Sequence, residues 1–319
     1  MNLREGPGRR TLLAGLVAAP ALALALTLAQ AQAQAPASAQ GTYPSQTIRI
    51  VVPYVAGGTT DLVGRMVAEA LAERLPRPVV VENRGGASGI IGSEAVARAA
   101  PDGHTLLLCA SAHAVLPALY PNLTWDPIAD FTPIAPVAAT PYMLVVHPSL
   151  PVRSVAELVA LAKAQPGKLN FASTGMGTAQ HLAGEQLKRL ADIDLLHVSY
   201  RGSGAVRADL LTGRINLMFE NVALTIGMVE RGEVRGLAVT GPTRTPLAPE
   251  LPTLTELGYP EAEIEGWFGL LAPPRTPPAI VAALNAVVAD WLRGPAAAQR
   301  LAGLGARVLG GTPEALAGL

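Results

Sequence analysis

The residues best placed for chemistry are glycines and hydroxyls that follow apolar runs: Gly57-Gly58-Thr59-Thr60, residues 83–89, Ser111-Ala112-His113, residues 173–178 and Glu220-Asn221. Glycine lets a ligand approach the backbone, and the first turn of a following helix offers unpaired N–H groups at the positive end of a dipole. Such turns suit an anion. Thr59, Thr60, Ser173, Thr174 and Thr178 add hydroxyls that donate and accept, with Gly175 and Gly177 between the last three. The same letters also serve ordinary strand-to-helix turns and helix caps. A ligand site is favoured because several of these loops end strands, and open α/β sheets bind ligands beyond the carboxyl ends of their strands.

Other chemistries lack their parts. No glycine-rich turn carries the Gly-Lys-Ser/Thr of a phosphate loop, and "GMGTAQ" at 175–180 begins like a dinucleotide fingerprint but ends in Gln180. "RGSGA" sets Ser203 between glycines at the wrong spacing for a nucleophile elbow. The histidines at 104, 113, 147, 181 and 197 show no zinc spacing; His181 and Glu185, four apart, fit either a metal or a hydrogen-bonded pair. No cofactor is expected. "YRGSGA" at 200–205 fits a cleft wall, with Tyr200 as a ring and Arg201 as a counter-charge or a solvent-facing side chain.

The elements that must position these loops alternate. "TIRIVVPYV" is a β-branched run of the kind that a doubly covered parallel strand needs. It is followed by a helical stripe of Leu62, Val63, Met66, Val67, Ala70 and Leu71. "PVVVENR", a helix at "IIGSEAVARAA" and "HTLLLCAS" repeat the pattern, so the fold class is α/β. A second set runs from "PYMLVVHPS" through a helix at 154–165, with Ser154 and Glu157 as a capping box, to "GWFGLLAPP". The helices after residue 277 have no strand partners beyond a short "RVLG", so they are expected to return to the first lobe. That gives crossings near 137–145 and 264–272, with 41–142 plus 265–319 as one lobe and 143–264 as the other. Two crossings make a hinge above which a cleft can close on a ligand.

Ahead of this stand Arg4, Arg9 and Arg10, an apolar run at 11–29 and an Ala/Gln tract, the order of a secretory leader; "GRRTLL" is also a weak twin-arginine match. Residues 1–39 are expected to be removed after Ala39 or just upstream. The run is long enough for a membrane anchor, but Pro20 interrupts it. Without Arg4, Glu5, Arg9 and Arg10, 21 basic and 23 acidic residues remain, a balance that argues against nucleic acid. Cys109 has no partner for an internal disulfide and is expected in the core rather than as a catalytic thiol.

Taken together, "YPSQTIRIVVPYVAGGTTDLVGR", "PVVVENRGGASGIIGSEAVARAAPDGHTLLL", "LPALY", "PGKLNFASTGMGTAQHLAGEQLK", "HVSYRGSGAVRADLLTGRINLMFEN", "RGLAVT" and "GTPEAL" resemble, in this order, the Bug or tripartite tricarboxylate transporter extracytoplasmic receptors. The resemblance covers the whole chain after the leader. It implies a type II periplasmic binding fold, two α/β lobes joined by crossing strands and closing on a small carboxylate. It also implies a periplasmic, monomeric receptor that serves membrane permease subunits and is not an enzyme. A two-component sensor partner and an exported carboxylate-using enzyme are the alternatives. By the same resemblance one ligand carboxylate falls on Ala56, Gly57, Gly58, Thr59 and Thr60, with Tyr54 just ahead. The second-lobe loops fall on 173–178 and on Tyr200, Gly202 and Ser203. Three letters depart from the family pattern: Ala56 stands for Pro, Gly204-Ala205 for Ala-Pro, and Glu220 for Asp. An acid at Glu220 repels a ligand carboxylate but can pair with an amine.

Overall fold

Buried β-branched runs and amphipathic stripes give alternating strands and helices in the computed structural model, which describes residues 43–319. The leader expected over 1–39 lies outside the described residues. β1 (Ile48–Val52), α1 (Thr59–Arg74), β2 (Val79–Asn83), α2 (Ile90–Ala97), β3 (Thr105–Ala110) and α3 (Ala112–Leu119) follow in turn. β1 pairs in parallel with β2 and β3. α3 forms although Pro117 lies inside it, where proline removes a helical donor.

The chain continues through β4 (Thr132–Val146), α4 (Val155–Ala164), β5 (Asn170–Ser173), α5 (Ala179–Ala191), β6 (Leu196–Ser199) and α6 (Ser203–Leu211). Next come β7 (Leu217–Asn221), α7 (Val222–Glu230), β8 (Arg235–Val239) and β9 (Glu265–Ala272). α8 (Pro278–Arg293), α9 (Pro295–Ala302), β10 (Arg307–Val308) and α10 (Pro313–Ala317) end it. At α4 the Ser154 hydroxyl accepts the Glu157 N–H, but the Glu157 carboxylate accepts from Arg153 N rather than from the cap residue, so only half of the capping box forms.

One strand builds both lobes. Residues 132–141 of β4 pair antiparallel with β9, which also pairs with β3; residues 142–146 pair with β7 and β8. Period-two alternation then covers the second sheet on both faces. Leu144 and Val146 pack with Phe171, Leu217 and Phe219, whereas Met143 and Val145 pack with Ala172 and Met218. The return crossing is tied to the first at Tyr142. Thr240 N donates to Tyr142 O and the Thr240 hydroxyl accepts from Tyr142 N, both at 2.9 Å, and that hydroxyl donates to Ile264 O at 2.6 Å.

The C-terminal helices lie on the first sheet. Arg74 meets Asp290 at 3.0 Å, Arg300 meets Glu69 at 2.7 Å, and Asn285 Nδ2 donates to Ile134 O at 2.8 Å. β10 pairs with Ala138 and Ala139 of β4, and Leu316 joins Val51, Leu107 and Leu271 in the core. Among the described residues no helix is long and apolar enough to cross a membrane.

Candidate functional site

A cavity of about 810 Å³ opens between the lobes at the carboxyl ends of β1, β3, β5 and β7, a size that suits a small-molecule site. From the first lobe it is lined by Tyr54, Gly58, Thr59, Thr60 and Ser111, and from the second by Thr174, Gly175, Thr178, Tyr200, Gly202, Ser203 and Glu220. All twelve were singled out from the sequence. α1 begins at Thr59, so the unpaired N–H groups of its first turn lie at the cavity wall. Arg201 is exposed at the rim and, among the described residues, makes no ion pair or hydrogen bond.

A buried carboxylate braces the glycine turn from behind. Gly57 is left-handed (φ 84) and its N–H donates to Asp61 Oδ2 at 2.9 Å. Asp61, 2% exposed, also accepts from Arg65 Nε at 3.1 Å and Asn83 Nδ2 at 3.0 Å. Burial by itself raises the Asp61 pKa, but the Gly57, Arg65 and Asn83 bonds outweigh it and hold the carboxyl below its usual value. With the folded-state pKa lowered, this brace acts above the unfolded value near 4 and is lost as pH falls through the folded one. Asp61→Ala is expected to cost about 1–3 kcal/mol, measured by urea unfolding at pH 7; an unchanged midpoint would contradict the bracing role.

On the second lobe two histidines hold the 173–178 loop. Gly177 N donates to His181 Nδ1 at 3.1 Å, Ser173 Oγ lies 2.8 Å from His197 Nε2, and the two imidazoles are 4.3 Å apart. Burial, then the His181 neighbour, push His197 down to about 4, and burial lowers His181 as well. The Thr178 hydroxyl accepts from His181 N as the cap of α5 and donates to Gly175 O at 2.8 Å.

Glu220 closes the floor. It is 1% exposed; Oε1 accepts from Asn221 N at 2.8 Å, and Oε2 is buried with no hydrogen-bond partner. Burial raises its pKa, against the lowering effects of Ser203, Asn221, Arg207 and Gln180.

The profile of the family described as tripartite tricarboxylate transporter family receptor matches residues 63–316. This chain belongs to that family. The receptor is 38% identical over 277 residues to protein BugT of Bordetella pertussis, covering 86% of this chain and 84% of that one. Its fold matches the structure of Rpa4515 of R. palustris with adipate (TM-score 0.82, 36% identity, 86% and 92% of the two chains). It also matches MatC from Rhodopseudomonas palustris with bound malate (TM-score 0.80, 33% identity, 86% and 95%). It is a solute-binding receptor with the two-lobed α/β periplasmic binding fold.

Five expected site residues of the receptor do not line the cavity. Ala56 is exposed on the turn, and the Gly57 N–H is consumed by Asp61. Ser173 is fully buried, its hydroxyl donating to Gly175 O at 3.0 Å, and the Gly177 N–H is consumed by His181. His113 turns into the core: Nε2 meets Pro127 O at 2.8 Å, Nδ1 meets Ser93 Oγ at 3.3 Å, and the ring packs on Trp125 and Phe131. Conversely Tyr120, Tyr142, Gln180 and Phe268 reach the cavity from elements that carried no loop signature, and Ser88 reaches it too. Ser88 lies in the 83–89 loop that the glycines did mark.

Burial lowers His113 from 6.5 to about 4. A histidine kept neutral by folding confers stability above the unfolded pKa, and that stability is lost as pH falls from there toward the folded value. By pH 5 the loss from His113 is on the order of 2 kcal/mol. Urea midpoints at pH 7 and 5 for the wild type and His113→Asn should diverge accordingly, the variant losing less on acidification.

Cys109 is 1% exposed, Sγ donates to Gly269 O at 3.3 Å, and burial pushes the thiol up to about 12. It is a core residue. His181 and Glu185 stand 3.9 Å apart, and among the described residues no three His, Cys, Asp or Glu side chains gather at metal-binding spacing.

Proposed function

We propose that this receptor captures a small organic carboxylate in the periplasm and delivers it, as a monomer, to the membrane permease subunits of a tripartite tricarboxylate transporter. The observation that carries the reading is a cavity walled by neutral donors. Thr59, Thr60, Ser111, Thr174 and Ser203 line it together with the first turn of α1, and its cation, Arg201, stands exposed at the rim. Neutral hydroxyl and backbone donors hold a carboxylate without the desolvation cost of a buried counter-ion. The adipate and malate in the two related structures support the same class.

In this reading Gly58, Thr59 and Thr60, with Tyr54 and Ser111, take one end of the ligand. Thr174, Gly175, Thr178, Tyr200, Gly202 and Ser203 close over it, and Glu220 lies at the floor. Lobe one is 41–142 plus 265–319, lobe two 143–264, and closure about the Tyr142–Thr240 link traps the guest. The role is binding and not turnover. Ser173 and His197 are bonded at 2.8 Å, as a nucleophile and base would be, yet Ser173 is fully buried and cannot meet a substrate.

Isothermal titration of ligand-stripped protein against mono-, di- and tricarboxylates tests this. Saturable binding of at least one, without consumption of it, is expected; no heat from any would overturn the reading.

A further inference from the structure

Glu220 is the one cavity-lining side chain, among the described residues, that combines near-complete burial with an oxygen left without a partner. It sits near the end of β7, opposite Met143 of β4, so its backbone is fixed in the sheet and its carboxyl faces the cavity. Asn221 N holds Oε1. Buried polar atoms are almost always satisfied; Ser203 and Gln180, the neighbours that lower the Glu220 pKa, leave Oε2 without a bond, and Glu220 lines the cavity.

We infer that Glu220 meets one carboxylate of a dicarboxylate ligand as an acid, donating a hydrogen bond from Oε2, while the other carboxylate takes the donors at the start of α1. This rests on the carboxylate reading above and names the class within it. Two carboxylates in contact cannot both stay ionised, so one proton is shared between them. Arg207 eases that conflict only by its charge at a distance, and no protein cation pairs with the Glu220 carboxyl. The Arg207 guanidinium is directed to the Ser203 and Leu224 carbonyls, at 3.4 Å each, and Arg201 is exposed at the rim.

The other titratable group facing Glu220 is Tyr142 of β4, with Tyr54 beyond it; burial pushes both phenols well above their ordinary value. The floor is dry enough to favour neutral forms. Burial raises Glu220 in the same direction. Gln180, whose Oε1 accepts from Thr174 Oγ1 at 3.2 Å, and Ser203 are the neutral side chains beside it, and both act against that rise. No covalent bond changes on binding. Where Glu220 is ionised in the free receptor, binding takes up one proton from solvent and holds it between Glu220 and the ligand.

The test is calorimetry with succinate, malate, adipate and aspartate on wild type and Glu220→Gln from pH 5.5 to 8.5. In the wild type, dicarboxylate affinity should fall by about tenfold per pH unit once Glu220 ionises. In the same range the enthalpy should vary with buffer ionisation heat to the extent of about one proton taken up. In Glu220→Gln the amide N–H replaces the acid O–H. Affinity should stay within about threefold at pH 5.5, lose its pH dependence and exceed wild type at pH 8.5. Parallel pH profiles in the two proteins, no proton uptake by wild type at any pH, or aspartate bound by wild type and lost in the variant would each overturn the inference. If none of the four acids binds either protein, the carboxylate reading falls as well, a failure distinct from retained binding that ignores Glu220. The proton uptake is read on wild type alone, so it stands even if the variant folds poorly.

Discussion

Phe171→Ala is expected to destabilise the receptor by about 3–5 kcal/mol. Phe171 is fully buried in β5, and its ring fills the space that helix α5 leaves at Gly184, where an added Cβ would meet Cε2 at 2.1 Å. The ring also packs on His197 at 4.8 Å and His181 at 6.4 Å, and Lys188 Nζ lies 5.9 Å over it. Truncation leaves a cavity beneath helix α5 and removes the backing of the two histidines that hold the 173–178 loop. Urea unfolding measures the loss. A change under about 1 kcal/mol would mean that α5 collapses onto the vacancy and that the ring is dispensable.

Gly202→Val is expected to lower ligand affinity by about a hundredfold or more with a smaller effect on folding. Gly202 has φ 147 and ψ 159, a region that is essentially glycine's own and costs another residue about 1–3 kcal/mol. A Cβ there would also meet Val55 Cγ2, on the opposite lobe, at 2.6 Å. A Cβ added at Gly177 would likewise meet Leu119 Cδ1 at 2.3 Å, and one at Gly175 would meet Ser88 Oγ at 3.4 Å. Glycines of one lobe thus face side chains of the other across the cleft. A branched side chain at 202 should prop it open, which small-angle scattering in the presence of ligand would register as a larger radius of gyration. Unchanged affinity would remove Gly202 from the closing surface.

The layer architecture was legible because its signals are periodic. The stripe on α1, the β-branched run of β1 and the partnerless C-terminal helices each constrain what they pack against. The strands that join the two sheets were legible, because "PYMLVVHPS" and "GWFGLLAPP" flank a domain-sized stretch. That β4 is one 15-residue strand was hidden by Pro133, Pro136 and Pro141, which read as breaks but sit where register shifts already interrupt the ladder, or at its end.

Loops were legible as loops, but not the direction of each side chain. Ser173 and His113 have the right chemistry next to the right turns, yet one faces a histidine and the other an aromatic core. Gly57 was marked for its N–H, which a partner four residues on consumes. Tyr142 and Gln180 come from a crossing strand and a helix, so only three-dimensional placement brings them to the cavity.

The register of β4 against β9 has an evolutionary and practical corollary. Pro141 and Glu265 face each other across an antiparallel pair, so everything between them is an excursion that leaves and re-enters at neighbouring points. The two ends of that excursion are adjacent too, since Tyr142 and Ile264 both bond to Thr240. Antiparallel neighbours can be bridged by a two-residue turn, so an Asn-Gly splice from Pro141 to Glu265 should close the remaining sheet without rerouting it. The second sheet is in effect inserted into the first at a hairpin. Whole halves could be transplanted between relatives at that seam, recombining the pocket wall that grips one end of a ligand with a wall tuned to a different other end.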